Sequence, residues 1–296
     1  MQPFFSIIIP THNRVTFLID AINSVIQQSF SSWELIIVDD GSTDDTKGRI
    51  SELNDSRIKY LFQKNAERSA ARNNGIRHAL GKYVCFLDDD DQYLPNHLQL
   101  IFDFLNERQF PVAMIFTDYL LQKFNDEPKE HRSLFNGNPI TYFLQNPVIP
   151  SCVCIHRNVF EKFQFDEQIK VVEDTVLWIK IATSFPIYHL NKISTMYFLH
   201  SDNSVSLKKN AFQDRLNGLQ KLFKEIDRKT IPYSLRREVI SGCYYGIGKY
   251  YYLSGQFFPM VYALFKSFIM LPDSPHNKSK LYIIKCYFFG PRIEQF

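Results

Sequence analysis

The sequence predicts an α/β domain built on a mostly parallel sheet flanked by helices, followed by a helical C-terminal region. Three observations predict it. Through the first hundred residues, short unbroken apolar runs alternate with segments of helical period, and unbroken runs mark strands buried on both faces of a parallel sheet. The polar and acidic clusters stand just after those runs, at the carboxyl edge where open parallel sheets bind ligands. From Asn210 onward helical signals dominate and no β-rich segment appears.

Taken in order, Phe5 to Ile9 reads as the first strand. Val15, Leu18, Ile22, Val25 and Ile26 then form the stripe of a helix ending near Gln28. Trp33 to Val38 is the second strand, and Ser42-Thr43-Asp44-Asp45 supplies capping residues for a helix to about Leu53. Ile58 to Phe62 is the third strand. Glu67 to Leu80 carries a helix closed by Gly81, and Tyr83 to Leu87 is the fourth strand. A helix to about Glu107, a strand at Val112 to Phe116 and a polar region through Asn138 follow Pro95. Then come strand-like Ser151 to His156, a helix from about Thr175 to Ser184, and extended stretches at Pro186 to Leu190 and Thr195 to Leu199.

At 296 residues and 45% hydrophobic content the chain buries a full core. The apolar run begins too near the N-terminus for a secretory signal, and Phe257 to Leu271 falls short of the roughly 20 residues a membrane span needs. These features predict a cytoplasmic protein, peripheral at most. Five cysteines without a CxxC pair fit a reducing compartment. Cys152 and Cys154 alternate along a strand and read as buried small hydrophobes. The net charge of +3 hides an asymmetry: residues 208–296 hold fifteen Lys/Arg and six Asp/Glu, a balance of +9, leaving −6 for the rest. An acidic body and a basic, aromatic-rich tail suggest catalysis in one and contact with an anionic surface in the other.

The most telling motif is Cys85-Phe86-Leu87-Asp88-Asp89-Asp90-Asp91. Four consecutive acids repel one another unless something cationic sits among them. On an extended chain Asp88 and Asp90 share a face and Asp89 and Asp91 point away, so one pair is placed to meet a divalent ion. Carboxylates are hard ligands, and Mg²⁺ or Mn²⁺ held by one or two of them completes its shell with water and phosphate oxygens. A solvated acidic turn before Pro95 is the structural alternative.

Four further motifs accompany it: Ser6-Ile-Ile-Ile-Pro-Thr-His-Asn-Arg14, Val38-Asp-Asp-Gly-Ser-Thr-Asp44, Arg68-Ser-Ala-Ala-Arg-Asn-Asn-Gly75 and Val172-Glu-Asp-Thr-Val-Leu-Trp178. In this order and spacing the set resembles the inverting family 2 glycosyltransferases of the GT-A fold, over residues 4 to about 206. The resemblance implies a catalytic domain over 1–206, its nucleotide-sugar half 1–100 and its acceptor half 101–206, with a helical region over 207–296. It implies transfer of a sugar from a nucleoside-diphosphate sugar to a glycan or lipid-linked saccharide acceptor, in the assembly of bacterial surface polysaccharide at the cytoplasmic face of the inner membrane. No nucleic-acid partner is expected. The competing readings are a scaffold that binds the nucleotide sugar without catalysis, and a sugar nucleotidyltransferase, which wants a Gly-rich phosphate loop that Pro10-Thr-His-Asn-Arg14 lacks.

The resemblance also distributes roles. It places Pro10, Thr11, Asn13 and Arg14 beside the donor nucleotide, in what must in any case be a strand-to-helix turn. Asp39 reads the nucleotide base, with Asp40 beside it; carboxylates accept hydrogen bonds from base or ribose. Arg68 and Arg72 share a helix face, to meet the diphosphate or to pin the acidic loop. The family pattern often has Gly where Glu67 stands, which leaves the turn after Asn65 open. Asp90 is the direct ligand of Mn²⁺ or Mg²⁺, Asp88 lies nearer the ribose, and Asp89 tightens the metal site or faces solvent. Asp174 is the general base for the acceptor hydroxyl, Glu173 the alternative, and Trp178 walls the sugar site. Helix capping is the bland reading of the two acids. His200 is expected to touch metal or diphosphate.

In the tail, Tyr244, Ile247, Gly248, Tyr251, Gly255, Leu264, Ser267 and Pro272 match the spacing of one helical hairpin. The aromatics of 257–271 read as its core. Lys278, Lys280, Lys285 and Arg292, with Tyr287 to Phe289, read as the membrane-facing part.

Overall fold

Every residue of β1 (Phe5–Thr11), β2 (Trp33–Asp39) and β4 (Tyr83–Phe86) is buried, which is why these strands read as unbroken apolar runs. With β3 (Ile58–Phe62) they form a parallel array in the order β3-β2-β1-β4. Helices α1 (Val15–Ile26), α2 (Thr46–Ser51) and α3 (Glu67–His78) make the crossovers. Leu18, Ala21, Ile22 and Val25 give α1 its buried stripe. This computed structural model describes residues 2–123, 126–135, 137–200, 211–272, 277, 279–281 and 283.

The sheet then changes direction. After β5 (Gln92–Tyr93), α4 (His97–Asn106), β6 (Met114–Lys123), β7 (Lys129–His131) and α5 (Pro139–Gln145) comes β8 (Val153–His156), antiparallel to both β4 and β6. Helix α6 (Glu173–Ala182) precedes β9 (Ile187–Leu199), which runs parallel to β6. The full order is β3-β2-β1-β4-β8-β6-β9-β5, with β7 on β6. The two extended stretches expected at 186–199 are thus one strand. Its register jumps from Leu190 to Ile193 opposite Thr117 and Asp118, so Asn191 and Lys192 form a bulge that breaks the apolar pattern. Helix α5 is an addition, with Asn138 accepting from the Ile140 and Thr141 N–H groups and Pro139 in the first turn.

Trp178 is a correction. It is fully buried, tilted against Phe86 and edge-on to Phe165 at centroid distances of 6.3 and 5.9 Å, and its indole N–H donates to the Val148 carbonyl at 3.0 Å. Val176, Leu177, Ile179 and Ile181 are buried around it, so this residue closes the core and is not open to a sugar.

The chain divides into two compact units: Met1–Gln168 with Glu173–Ser201, and Ile169–Val172 with Asp202–Phe296. The second is helical, comprising α7 (Ala211–Glu225), α8 (Tyr233–Leu253) and α9 (Phe257–Met270). Helices α8 and α9 form the expected hairpin, turning through Gly255 at φ +68°. They approach closely because a Cβ on Gly248 would stand 2.6 Å from Leu264 Cδ2, and Ser241 and Ser267 hydrogen-bond across the pair. Two expectations about the tail fail. Lys280 is buried beside Ser241, so it faces no membrane, and Phe258, Tyr262, Phe265, Phe268 and Ile269 of α9 are exposed, not core. Lys278, Lys285, Arg292 and Tyr287 to Phe289 lie outside the described residues.

The turn after Asn65 explains the departure at Glu67. Gly41, at φ +82°, lets the β2 loop pass so close that a Cβ there would lie 2.9 Å from the Asn65 nitrogen. Asp40 accepts from the Ala66 N–H at 2.8 Å, and the chain enters α3 with Glu67 at φ +71°. Glycine takes this conformation freely, whereas an L side chain pays about 1–2 kcal/mol there. Glu67→Gly is therefore expected to raise stability by roughly 0.5–1 kcal/mol, after the entropy cost of glycine. Urea denaturation checks it, and a loss of stability would show that the Glu67 side chain outweighs the strain.

Candidate functional site

The acidic run lies in a tight turn and not on an extended strand. Strand β4 stops at Phe86, and the Asp91 N–H donates to the Asp88 carbonyl at 3.1 Å, so the alternation that paired Asp88 with Asp90 does not apply. Asp88 turns to Arg72 at 2.6 Å. Asp90 meets Arg14 at 2.7 Å and His200 Nε2 at 3.1 Å through one oxygen, Oδ2. Asp89 is buried, which corrects the solvent-facing alternative. It accepts from the Thr11 hydroxyl at 2.8 Å and lies 3.3 Å from Arg14. Asp91 is buried too, accepting from the Ser151 hydroxyl at 2.5 Å and the Phe198 N–H at 3.3 Å.

The electrostatics follow from these partners. Burial, with the charge of Asp90, pushes the Asp89 carboxyl up to about 7. Burial, with the charges of Asp88 and Asp90, pushes Asp91 well above the ordinary carboxylate range. Burial alone would lower Arg14, but Asp89 and Asp90 outweigh it and hold its pKa above normal. The four acids therefore coexist through two guanidinium groups and through the neutralising tendency of the buried pair.

Pro10 and Thr11 lie opposite Val38 and Asp39 in the β1–β2 register, so both loops open at one edge. Asn13, at φ +55°, ties them together: its side-chain oxygen accepts from the Thr43 and Asp44 N–H groups, and its own N–H donates to Ser42 Oγ at 2.9 Å. Asp39 accepts from the Ser42 N–H at 2.7 Å and the Tyr60 hydroxyl at 2.6 Å. Asp40 accepts from Gln63 Nε2 and from Ala66 N–H. Both acids are buried organisers of these turns, which explains in structural terms why two carboxylates end an apolar strand.

On α3, Arg72 is almost wholly buried and grips Asp88 on one side and Glu173 on the other, the latter at 2.9 Å. Its pKa is raised because Asp88 and Glu173 outweigh the opposing effect of burial. Arg68 reaches the same Glu173 oxygen at 3.3 Å. Glu173 is thereby committed to two arginines. Its neighbour Asp174, half-buried in the first turn of α6, is pushed up to about 6 by burial and by the charge of Glu173. Adjacent acids with unlike environments are suited to different tasks.

His200 stacks on Phe17 at a centroid distance of 4.9 Å and 10°. Beside it opens a cavity of about 230 Å³ lined by Phe17, Asp90, Gln122, Phe198 and His200. The donor set of Asp90, Asp88 and His200, two hard carboxylates and an imidazole, suits Mn²⁺ or Mg²⁺ with oxygens from a phosphorylated ligand. Among the described residues no three such groups converge into a finished cage. Ser151 was missed by the sequence reading. It receives the Asp88 N–H at 3.1 Å while donating to Asp91, and a serine before two buried cysteines carries no signal of that role.

A model of the family Glycosyl transferase family 2 matches residues 6–163. An uncharacterised glycosyltransferase of Rickettsia conorii is 39% identical over 63% of this chain, which spans only 31% of that relative's length. The GalNAc(5)-diNAcBac-PP-undecaprenol beta-1,3-glucosyltransferase of Campylobacter jejuni is 30% identical over 288 residues, covering 93% of this chain and 91% of its own. Among solved structures, S. aureus TarS 1-349 in complex with UDP-GlcNAc aligns with a TM-score of 0.65 at 17% identity, over 96% of this chain and 91% of its own. Mannosyltransferase PcManGT from Pyrobaculum calidifontis, in complex with GDP-Man and Mn²⁺, aligns at 0.59 and 13% identity, over 98% and 88%.

If Arg72 pins the acid turn to α6, removing it leaves Asp88 and Glu173 without their shared counter-charge. Arg72→Met is then expected to cost roughly 3–5 kcal/mol in urea denaturation without any ligand, and Arg72→Lys to recover part of it. An unchanged transition in Arg72→Met would show that the bridge is not structural.

Proposed function

Because the chain belongs to glycosyl transferase family 2 and has the GT-A fold, we propose that it is an inverting transferase moving a sugar from a nucleoside-diphosphate sugar to an acceptor hydroxyl. One observation carries this reading. Arg72 joins Asp88 of the acid turn to Glu173 of α6, which supports a role for the neighbouring Asp174 beside that turn.

In this scheme Asp174 takes the proton from the acceptor hydroxyl as the oxygen attacks the anomeric carbon. Its raised pKa makes it a better base than an ordinary carboxylate. Glu173, held by Arg68 and Arg72, orients the first turn of α6. Asn13 and Arg14 line the donor side, and the buried Thr11 and Asp39 hold the loops that form it. Asp90, with Asp88 and His200, would hold a divalent cation, which when bound would supply positive charge beside the departing diphosphate. UDP-GlcNAc and GDP-Man in the structural neighbours make uridine and guanosine nucleotides the first donors to test. The undecaprenol-linked substrates in two relatives' names support a lipid-linked saccharide acceptor, which in this scheme is met at an anionic membrane face from the cytoplasmic side.

Asp174→Asn keeps the shape but accepts no proton, so turnover should fall by ~10² to 10⁴-fold with donor binding and melting temperature retained. With Asp174 as base, kcat/KM of the wild type rises with pH through about 6, where the carboxyl ionises, and this limb should vanish in the variant. A large loss in Glu173→Gln alone would assign the base to the other acid. Asp90→Ala should abolish transfer and the Mn²⁺-dependent thermal shift with nucleoside diphosphate. NMR of the product should find the anomeric configuration inverted, and retention would refute the single displacement.

A further inference from the structure

Helix α9 has two unlike faces. Met260, Ala263, Leu264 and Ser267 are buried against the hairpin, while Phe258 is 83% exposed, Tyr262 60%, Phe265 59% and Ile269 49%. The exposed four step by four, three and four residues, so they lie on one stripe of a helix, and exposed Phe268 widens it. A soluble helix places polar residues on its outer side, and this one does not. Its one charge is Lys266, whose ammonium sits 5.4 Å from the Tyr262 ring.

We propose that this face of α9 lies in the surface of an anionic lipid bilayer and holds the enzyme there. The helix is too short to cross: fourteen residues span about 21 Å against a hydrocarbon core of about 30 Å, and among the described residues no helix is long and apolar enough to do so. Lying in the plane, Phe and Ile reach the acyl boundary, Tyr sits at headgroup level, and Lys266 extends along the ring to the phosphates. Charge agrees with this partner. Residues 211–272 carry nine Lys/Arg against four Asp/Glu, and α9 has no acid, so anionic headgroups are drawn to the unit. Lysine is depleted from the cores of protein interfaces, which disfavours a protein partner centred on Lys266. The proposal deepens the lipid-linked acceptor reading by naming the surface that would meet the bilayer, and it rests on that reading only for its purpose. It moves the expected membrane contact from the extreme tail to α9.

Flotation of the full chain tests it, with phosphatidylglycerol-containing vesicles against pure phosphatidylcholine vesicles. Wild type should float with the anionic vesicles at low salt, and Phe258→Asp/Phe265→Asp should lower the bound fraction by about tenfold or more with an unchanged melting curve. Phe265→Trp keeps the apolar face and should give a blue-shifted emission on adding anionic vesicles, which reads insertion even if the double variant misfolds. Wild type that stays unbound, a double variant that floats equally well, or an indole emission from Phe265→Trp that does not shift overturns the proposal. So does a wild-type dimer that the double variant makes monomeric without any flotation, since a second copy is then the occupant. Thermal shift with UDP or GDP and Mn²⁺ on the same samples keeps the two readings apart. Flotation without a response to UDP or GDP refutes those two donors for the transferase reading and spares this one; a nucleotide response without flotation refutes only this one.

Discussion

The site depends on one buried guanidinium. Arg72 is 1% exposed, and such a charge is tolerable only with close counter-ions. It has two from distant parts of the chain, Asp88 at 2.6 Å and Glu173 at 2.9 Å. Because neither acid can leave without stranding the arginine, the acid turn after β4 and the first turn of α6 are held in fixed relation. The planar fork of arginine makes this possible, since a lysine offers one point charge for two carboxylates. Asn73 on the same helix adds a second tie, exchanging hydrogen bonds with the Phe165 backbone at 2.9 and 3.0 Å.

The same logic resolves the crowding of four acids. A like-charged cluster is relieved by cations, by protons or by solvent, and here each member takes a different route. Asp88 has Arg72, Asp90 has Arg14 and His200, and Asp89 and Asp91 are buried with raised pKa values. Asp90 is the member whose partners, Arg14 and His200, are on partly exposed side chains. A divalent ion approaching Asp90 Oδ2 meets an oxygen already shared by those two groups. Arg14 is thus more than a donor-side contact: it carries the countercharge for two of the four acids.

The fold was legible where burial was uniform. Continuous apolar runs located β1, β2 and β4, whose residues are all buried, and the short run of β3 was found at the sheet edge although it is only partly covered. It was less legible where the sheet is irregular: the bulge at Asn191 and Lys192 split β9 into two apparent segments, and α5 hid in a polar region despite its Asn-Pro start. The site motifs were legible as a set, yet side-chain directions were not. A turn after Phe86 re-aimed all four acids, and Trp178, which looked suited to a sugar, fills the core. Ser151 was invisible because its role arises from two hydrogen bonds made across sixty residues. In the tail, residue types were read correctly as aromatic and basic, but periodicity alone does not say which face of α9 is covered.

Backbone strain follows the same geography. Among the described residues, five that are not glycine have left-handed φ: Asn13, Glu67, Gln109, Phe110 and Val172. Three of them immediately precede a site residue at the start of a helix: Asn13 before Arg14 and α1, Glu67 before Arg68 in α3, and Val172 before Glu173 in α6. The cost rises along that series, from asparagine, which tolerates the region, to a β-branched valine, for which it is a true outlier. A relaxed, extended entry would rotate the first turn of each helix and swing Arg14, Arg68 or Glu173 away from the acids they hold. The ion pairs and the strain are therefore two sides of one balance. The charge network keeps three unfavourable turns in place, and those turns aim the charges at one another.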